Sequence, residues 1–219
     1  MEKKYQVFVS STYEDLKEER LAVINCLLDH NCIPVGMEQF PASDLSQWEY
    51  IKKMMKYTDY YVLITAGKYG TIDKNSNKNL SYTEEEYDYA KEHNIPILSF
   101  IIDKSVDLPA SKIERNPRLV KMLENFQKKA MDGKMVDFYK NIDHLKYCVS
   151  KSISNAINNI EAVGWVRSDA IIKTTDNQHI DEKLARLEQK IQERPIIKTG
   201  TAAPTTATCP VGSLYGQYE

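Results

Sequence analysis

The chain has 219 residues, 42% apolar and 27% charged, which is ordinary for a globular protein and long enough for one substantial domain with appendages. Its 29 basic and 31 acidic residues leave a net charge of −2, so no strong field draws it onto nucleic acid or an anionic membrane. Its longest apolar runs, such as Tyr60 to Ala66, are far too short to cross a bilayer. Glu2, Lys3 and Lys4 leave no apolar leader after Met1, and the expected location is the cytoplasm.

Tyr5 to Val9 alternates as a buried strand and delivers Ser10, Ser11 and Thr12 as a polar loop. A helix over Asp15 to Leu28 follows, with Leu16, Leu21, Val23, Ile24, Leu27 and Leu28 as its apolar face. Cys32 to Val35 is a short second strand, followed by a loop that carries Glu38. Ser46 can cap a helix from Gln47 to Tyr57. Tyr60 to Thr65 is a continuous apolar run, the mark of a central parallel strand covered on both faces. Gly67-Lys68-Tyr69-Gly70 breaks that run, and the polar stretch 73–79 reads as a loop.

Thr83 to His93 is the third helix and Ile95 to Ile102 the fourth strand. Asn116-Pro117 opens a helix running to about Met131, with proline tolerated in its first turn. Met135 to Tyr139 is a fifth strand, and Ile142 to Ile160 a last helix striped by Leu145, Val149, Ile153, Ala156, Ile157 and Ile160. Strands alternating with helices imply parallel β-α-β units with right-handed crossovers. The expected fold is α/β: a parallel sheet in the order 2-1-3-4-5 with helices on both faces, and a ligand crevice where the order switches between strands one and three.

The expected α/β domain covers 1–163. A linker and short amphipathic helix cover 164–194, where Ile180, Leu184, Leu187 and Ile191 make under two heptads. A helix that short needs a partner surface, so residues 164–219 are expected to mediate a homo-oligomer or contact with a partner protein. Residues 195–219 read as a low-complexity extended tail. Cys26, Cys32, Cys148 and Cys209 form no C-x-x-C pair and no metal-ligand spacing with histidine, so they read as packing residues, and no metal is expected.

Three stretches can carry chemistry. Ser10, Ser11 and Thr12 are either helix-capping residues or hydroxyls that bind ribose and phosphate at the amino end of helix one. In the Gly67–Gly70 turn, the glycines either permit positive φ or admit a ligand to backbone N–H groups, with Lys68 meeting a phosphate and Tyr69 stacking on a base. Glu38 either sits in a surface loop or accepts ribose hydroxyls. In Ser81-Tyr82-Thr83-Glu84-Glu85-Glu86-Tyr87, Thr83 and Glu86 fit a capping box, and acidic residues suit a helix N-terminus. Helical phase puts Glu84 and Glu85 on solvent-facing stripes. It aligns Glu86 with Tyr82, Tyr89, Ala90 and His93 toward the sheet, where partial desolvation suits a catalytic carboxylate.

The order Phe8-Val9-Ser10-Ser11-Thr12, Asp15-Leu16, Glu19-Arg20, Val35 to Ser43, Asp59, Lys68-Tyr69-Gly70 and Ser81 to Tyr87 resembles a TIR-like family of domains of unknown function. The resemblance covers roughly residues 4 to 105, with Lys68 where that family usually has arginine. It implies a flavodoxin-like sheet related to TIR domains and nucleoside deoxyribosyltransferases. It further implies a catalytic glutamate at the start of the helix after strand three, for which Glu86 and Glu84 are the candidates. Ser10, Ser11, Thr12, Glu38, Gly67, Lys68, Tyr69, Gly70 and Tyr82 are then placed around the substrate. The activity implied is hydrolysis of the N-glycosidic bond of NAD or a related nucleotide, in bacterial anti-phage defence and controlled by oligomerisation, with NAD as substrate and no bound cofactor. A non-catalytic signalling module that assembles with itself or a sensor, and a deoxyribosyltransferase-like enzyme, remain the alternatives.

Overall fold

The computed structural model describes residues 2–37, 46–73, 78–132, 136–168 and 183–189. Its elements run in chain order as β1 (Gln6–Ser11), α1 (Lys17–Asp29), β2 (Ile33–Val35), α2 (Gln47–Met55) and β3 (Tyr60–Thr65). They continue as α3 (Tyr82–Glu92), β4 (Ile97–Ile102), α4 (Pro117–Met131), β5 (Val136–Tyr139) and α5 (Ile142–Asn159). All five strands are parallel and lie in the order β2-β1-β3-β4-β5, as the alternation of elements predicts. The switch falls between β1 and β3, both buried along their whole length.

Period two in the strands divides the core into two layers. Val7, Val9, Tyr60, Val62 and Ile64 pack with Val23 and Leu27 of α1 and Leu145, Val149 and Ile153 of α5. Phe8, Tyr61 and Leu63 face the other way, against Ile51 and Met55 of α2, Tyr87 and Ala90 of α3 and Phe126 of α4. Helix starts follow local chemistry: Ser46 and Glu49 form a reciprocal capping box, and Asn116 and Asn141 cap α4 and α5.

The structure corrects several expectations. Ser10 and Ser11 are not loop residues; they extend β1 and pair with Leu63 and Ile64. On α1, Leu21 and Leu28 are 60% and 53% exposed, whereas Arg20 is buried. The inward stripe runs through Leu16, Arg20, Val23 and Leu27, with a cation at a position that an apolar pattern skips. The cap of α3 is Ser81, whose Oγ accepts from Glu84 N at 3.3 Å, so Thr83 lies inside the helix and makes no capping box with Glu86. Ile160 closes α5 half-exposed rather than on the buried stripe.

After α5 the chain returns to the amino edge of the sheet. Lys4 and Trp165 exchange backbone bonds of 2.9 and 2.6 Å. The buried carboxylate of Asp59 accepts from Gln6 N at 2.9 Å and from Gly164 N at 2.8 Å. Gly164 has φ +69°, and a Cβ there would stand 3.1 Å from the Tyr5 ring, so the position requires glycine. The chain divides into units of residues 1–171 and 172–219. In the second unit, residues 183–189 are helical, with Leu184 and Leu187 exposed. Ile180, Ile191, the expected tail and Cys209 lie outside the described residues. Cys26, Cys32 and Cys148 are free and buried, and burial, followed by the nearby Cys26 and Asp59, pushes the Cys32 thiol up to about 11, in keeping with packing rather than reactive roles. Among the described residues, no helix is long and apolar enough to cross a membrane.

Candidate functional site

At the carboxyl end of β1, the alternation of a strand sends consecutive serines to opposite layers. Ser10 points toward α3, where its Oγ donates a short hydrogen bond to Glu86 Oε2. Ser11 points toward α1, where its Oγ accepts from Arg20 Nη1 at 3.0 Å and donates to the Thr12 carbonyl at 2.7 Å. Tyr61 stands beside Ser10 and Glu86 in the α3 layer. Burial, and then the charge of Glu86, raise its phenol well above the ordinary value, so it stays neutral beside Glu86. Glu86, itself 8% exposed, is thus held from the sheet by β1 while α3 carries it.

Above this edge lies a cleft of about 430 Å³, lined by Ser11, Thr12, Asp15, Lys68, Gly70, Tyr82 and Glu86, among others. It stands at the switch point between β1 and β3, where open α/β sheets place their ligands. Gly70 has φ +94°, and a Cβ there would fall 2.9 Å from Thr12 Cγ2, so glycine lets the two loops close over the strand ends. The charged lining consists of Glu14, Asp15, Glu86 and Glu114 against Lys68 alone among the described residues. Tyr82 donates from its hydroxyl to Asp73 Oδ1 at 3.2 Å at the rim. A second cavity of about 460 Å³ between β4, β5 and α5 is mainly apolar, with no comparable convergence of charge.

The three consecutive glutamates are all buried: Glu84 is 8%, Glu85 2% and Glu86 8% exposed. The solvent-facing assignment of Glu84 and Glu85 is therefore wrong. Its physical reason is tertiary cover. Segment 71–73 folds back on 80–82 through Asp73 N to Leu80 O (3.0 Å) and Tyr82 N to Thr71 O (3.1 Å), and α4 brings Lys129 against the helix. Glu84 accepts from the Tyr69 hydroxyl at 2.7 Å and from Lys129 Nζ at 3.0 Å. Burial works against the Lys129 ammonium, but its bonds to Asp88 and Glu84 outweigh that and raise its pKa. Glu84 does not line the cleft; of the two catalytic candidates, only Glu86 does.

Other candidates divide similarly. Ser11, Thr12, Lys68, Gly70 and Tyr82 line the cleft, and Ser10 supports Glu86 from below. Tyr69 does not offer a stacking face: its ring is buried, and its hydroxyl is taken up by Glu84 and by Ser81 N. Gly67 is not open to a ligand either. A Cβ there would lie 2.3 Å from the Lys112 carbonyl, and its own carbonyl accepts from Glu114 N at 2.7 Å. Glu38 lies outside the described residues. Sequence reasoning missed Asp15, Arg20 and Glu114. The first two stand in the Asp15-Leu16 and Glu19-Arg20 pairs, whereas Glu114 arrives from a loop without periodicity.

No curated protein matches this chain. Among solved structures, it is similar to the TIR domains of the activated Roq1 resistosome recognising the pathogen effector XopQ, at 13% identity over 86% of this chain and 99% of that one, with a TM-score of 0.35. It is also similar to a mutant flavo di-iron protein from Thermotoga maritima, at 16% identity over 74% of this chain and 37% of that one, with a TM-score of 0.39. A de novo designed protein solved by NMR matches at 14% identity over 73% and 98%, with a TM-score of 0.36. The family model described as a domain of unknown function, DUF4062, matches residues 6–154, reaching well past the first hundred residues that carry the sequence motifs and into α5. The chain belongs to the DUF4062 family.

Proposed function

We propose that this protein hydrolyses the N-glycosidic bond of NAD or a related nucleotide, with Glu86 beside the ribose. The observation that carries this reading is the position of Glu86: a nearly buried carboxylate, oriented by Ser10, lining the cleft at the switch between β1 and β3. In the reaction the C1′–N bond breaks, and its electron pair passes to the nicotinamide nitrogen, neutralising the pyridinium. The ribosyl carbon develops oxocarbenium character, as in other glycoside hydrolysis. A fixed anion beside it stabilises that charge without reorganising. Water then bonds to C1′ and releases a proton. The leaving group departs neutral, so no strong general acid is needed. A cationic base also suits a cleft lined by four carboxylates and one ammonium.

Glu86→Gln keeps the size and removes the charge. Turnover of NAD is expected to fall by about 10²-fold or more, the scale for deleting one preorganised electrostatic group. Following the resemblance, the proposed setting is anti-phage defence with activity gated by assembly, so turnover is expected to rise on enforced clustering. Wild-type turnover in Glu86→Gln refutes the assignment. A wild-type protein inert toward NAD both free and clustered leaves the interaction-module reading in its place.

A further inference from the structure

We infer that Asp15 and Thr12, in the cleft lining between β1 and α1, form a subsite for the vicinal hydroxyls of a ribose. This rests on the reading of the cleft as a ribosyl site and names the part of the ligand it selects. Asp15 is 5% exposed and lines the cleft, yet neither of its carboxylate oxygens has a hydrogen-bond partner among the described residues. Thr12 Oγ1, also buried and at the same lining, is likewise unpartnered among them.

A carboxylate withdrawn from water with no donor is costly, and protein interiors rarely leave one so. Asp15 is not needed for its helix: α1 has Leu16 at its cap and no side-chain capping bond. It does not answer the nearby cations either. Arg20 Nη1 donates to Ser11, and Lys112 Nζ donates to Glu19 Oε1 at 2.8 Å. What Asp15 lacks is donors, and two oxygens of one carboxylate match the two adjacent O–H groups of a cis-diol. Phosphate does not fit, because it brings acceptors and negative charge to a carboxylate. On this inference the Thr12 end of β1 takes the ribose of the ligand rather than its phosphate.

The test reads binding rather than cleavage, because a ribose lacking its 2′-hydroxyl hydrolyses faster by itself. The full chain carrying Glu86→Gln is titrated calorimetrically, in buffer with EDTA, with nicotinamide riboside and with its 2′-deoxy and 3′-deoxy forms. Loss of a hydroxyl bonded to a charged acceptor is expected to weaken binding by about tenfold or more. Adding Asp15→Asn, which removes the charge and turns one acceptor into a donor, should cut that discrimination to about fivefold or less. Thr12→Val keeps the shape and should weaken the full riboside several-fold. Neither substitution is expected to lower the melting temperature, since Thr12→Val removes an unsatisfied buried hydroxyl and Asp15→Asn exchanges an unpaired buried carboxylate for a neutral amide; a purely structural Asp15 would lower it.

Discrimination undiminished by Asp15→Asn overturns the inference, as does the absence of any riboside binding. If discrimination depends on Asp15 but NAD is not cleaved, the hydroxyl subsite stands and the hydrolase reading fails. If NAD is cleaved through Glu86 with no preference for hydroxyls, the reverse holds.

Discussion

Glu84 and Glu86 stand two residues apart on one helix in different surroundings: Glu86 lines the cleft, and Glu84 is held by Tyr69 and Lys129. Glu84→Gln therefore separates stability from chemistry. Glu84 receives the Tyr69 hydroxyl at 2.7 Å and the Lys129 ammonium at 3.0 Å. The bond to Tyr69 is buried and charge-assisted, worth about 1.5–3 kcal/mol, of which a neutral glutamine oxygen retains roughly half. The Lys129 side chain is 33% exposed and also touches Asp88 at 2.5 Å. Solvent screening and this second carboxylate hold its loss to about 1 kcal/mol or less. Together, the expected destabilisation is about 2 kcal/mol, a fall of about 4–8 °C in Tm for a body of this size. The assay is thermal and urea unfolding, with NAD turnover measured well below the transition. Turnover should stay within about threefold of wild type, because Glu84 makes no charge contact in the cleft. Unchanged stability with abolished turnover would show that Glu84, not Glu86, serves the reaction and would refute the geometric argument.

Two further outcomes follow from buried polar groups. Asp59→Asn leaves one acceptor for two backbone donors, Gln6 N and Gly164 N. It should cost about 1–3 kcal/mol and raise hydrogen exchange at Lys4 and Trp165, and unchanged exchange there would remove the clasp from the account. The phenols of Tyr60, Tyr61, Tyr69 and Tyr139 are all raised, chiefly by burial, with Tyr60 pushed up to about 12. A raised folded value makes their contribution complete below the unfolded phenol value near 10 and lost as pH climbs toward 12. Stability should thus fall steeply across that window. Ultraviolet titration should show these tyrosines ionising only with unfolding, and smooth reversible ionisation of all fourteen tyrosines near pH 10 would contradict the burial.

What was legible in the chain was whatever depends on neighbours in sequence. The unbroken apolar run Tyr60–Thr65 declares a strand buried on both faces, and its observed bounds are the same. Ser46 with Glu49 and Asn116 with Pro117 mark helix starts, because capping is satisfied within one turn. Alternation of strands and helices restricts the sheet to parallel crossovers, and with them comes the crevice at the switch.

Tertiary structure decided which side chains share the site. Helical phase orders directions around an axis but does not say what stands in each direction. Glu84 and Glu85 pointed to water by phase, yet both are buried, Glu84 against Tyr69 and Lys129. Tyr69 and Gly67 looked available beside Lys68, yet one is locked onto Glu84 and the other lies beneath Lys112. Arg20 stands outside the apolar face read from the sequence, yet it is buried and donates to Ser11. The pairing of Ser10 with Glu86 spans 76 residues. Helical phase turned Glu86 toward the sheet, but no local pattern names Ser10 as its partner: that pairing exists only because the packed sheet brings the end of β1 under α3.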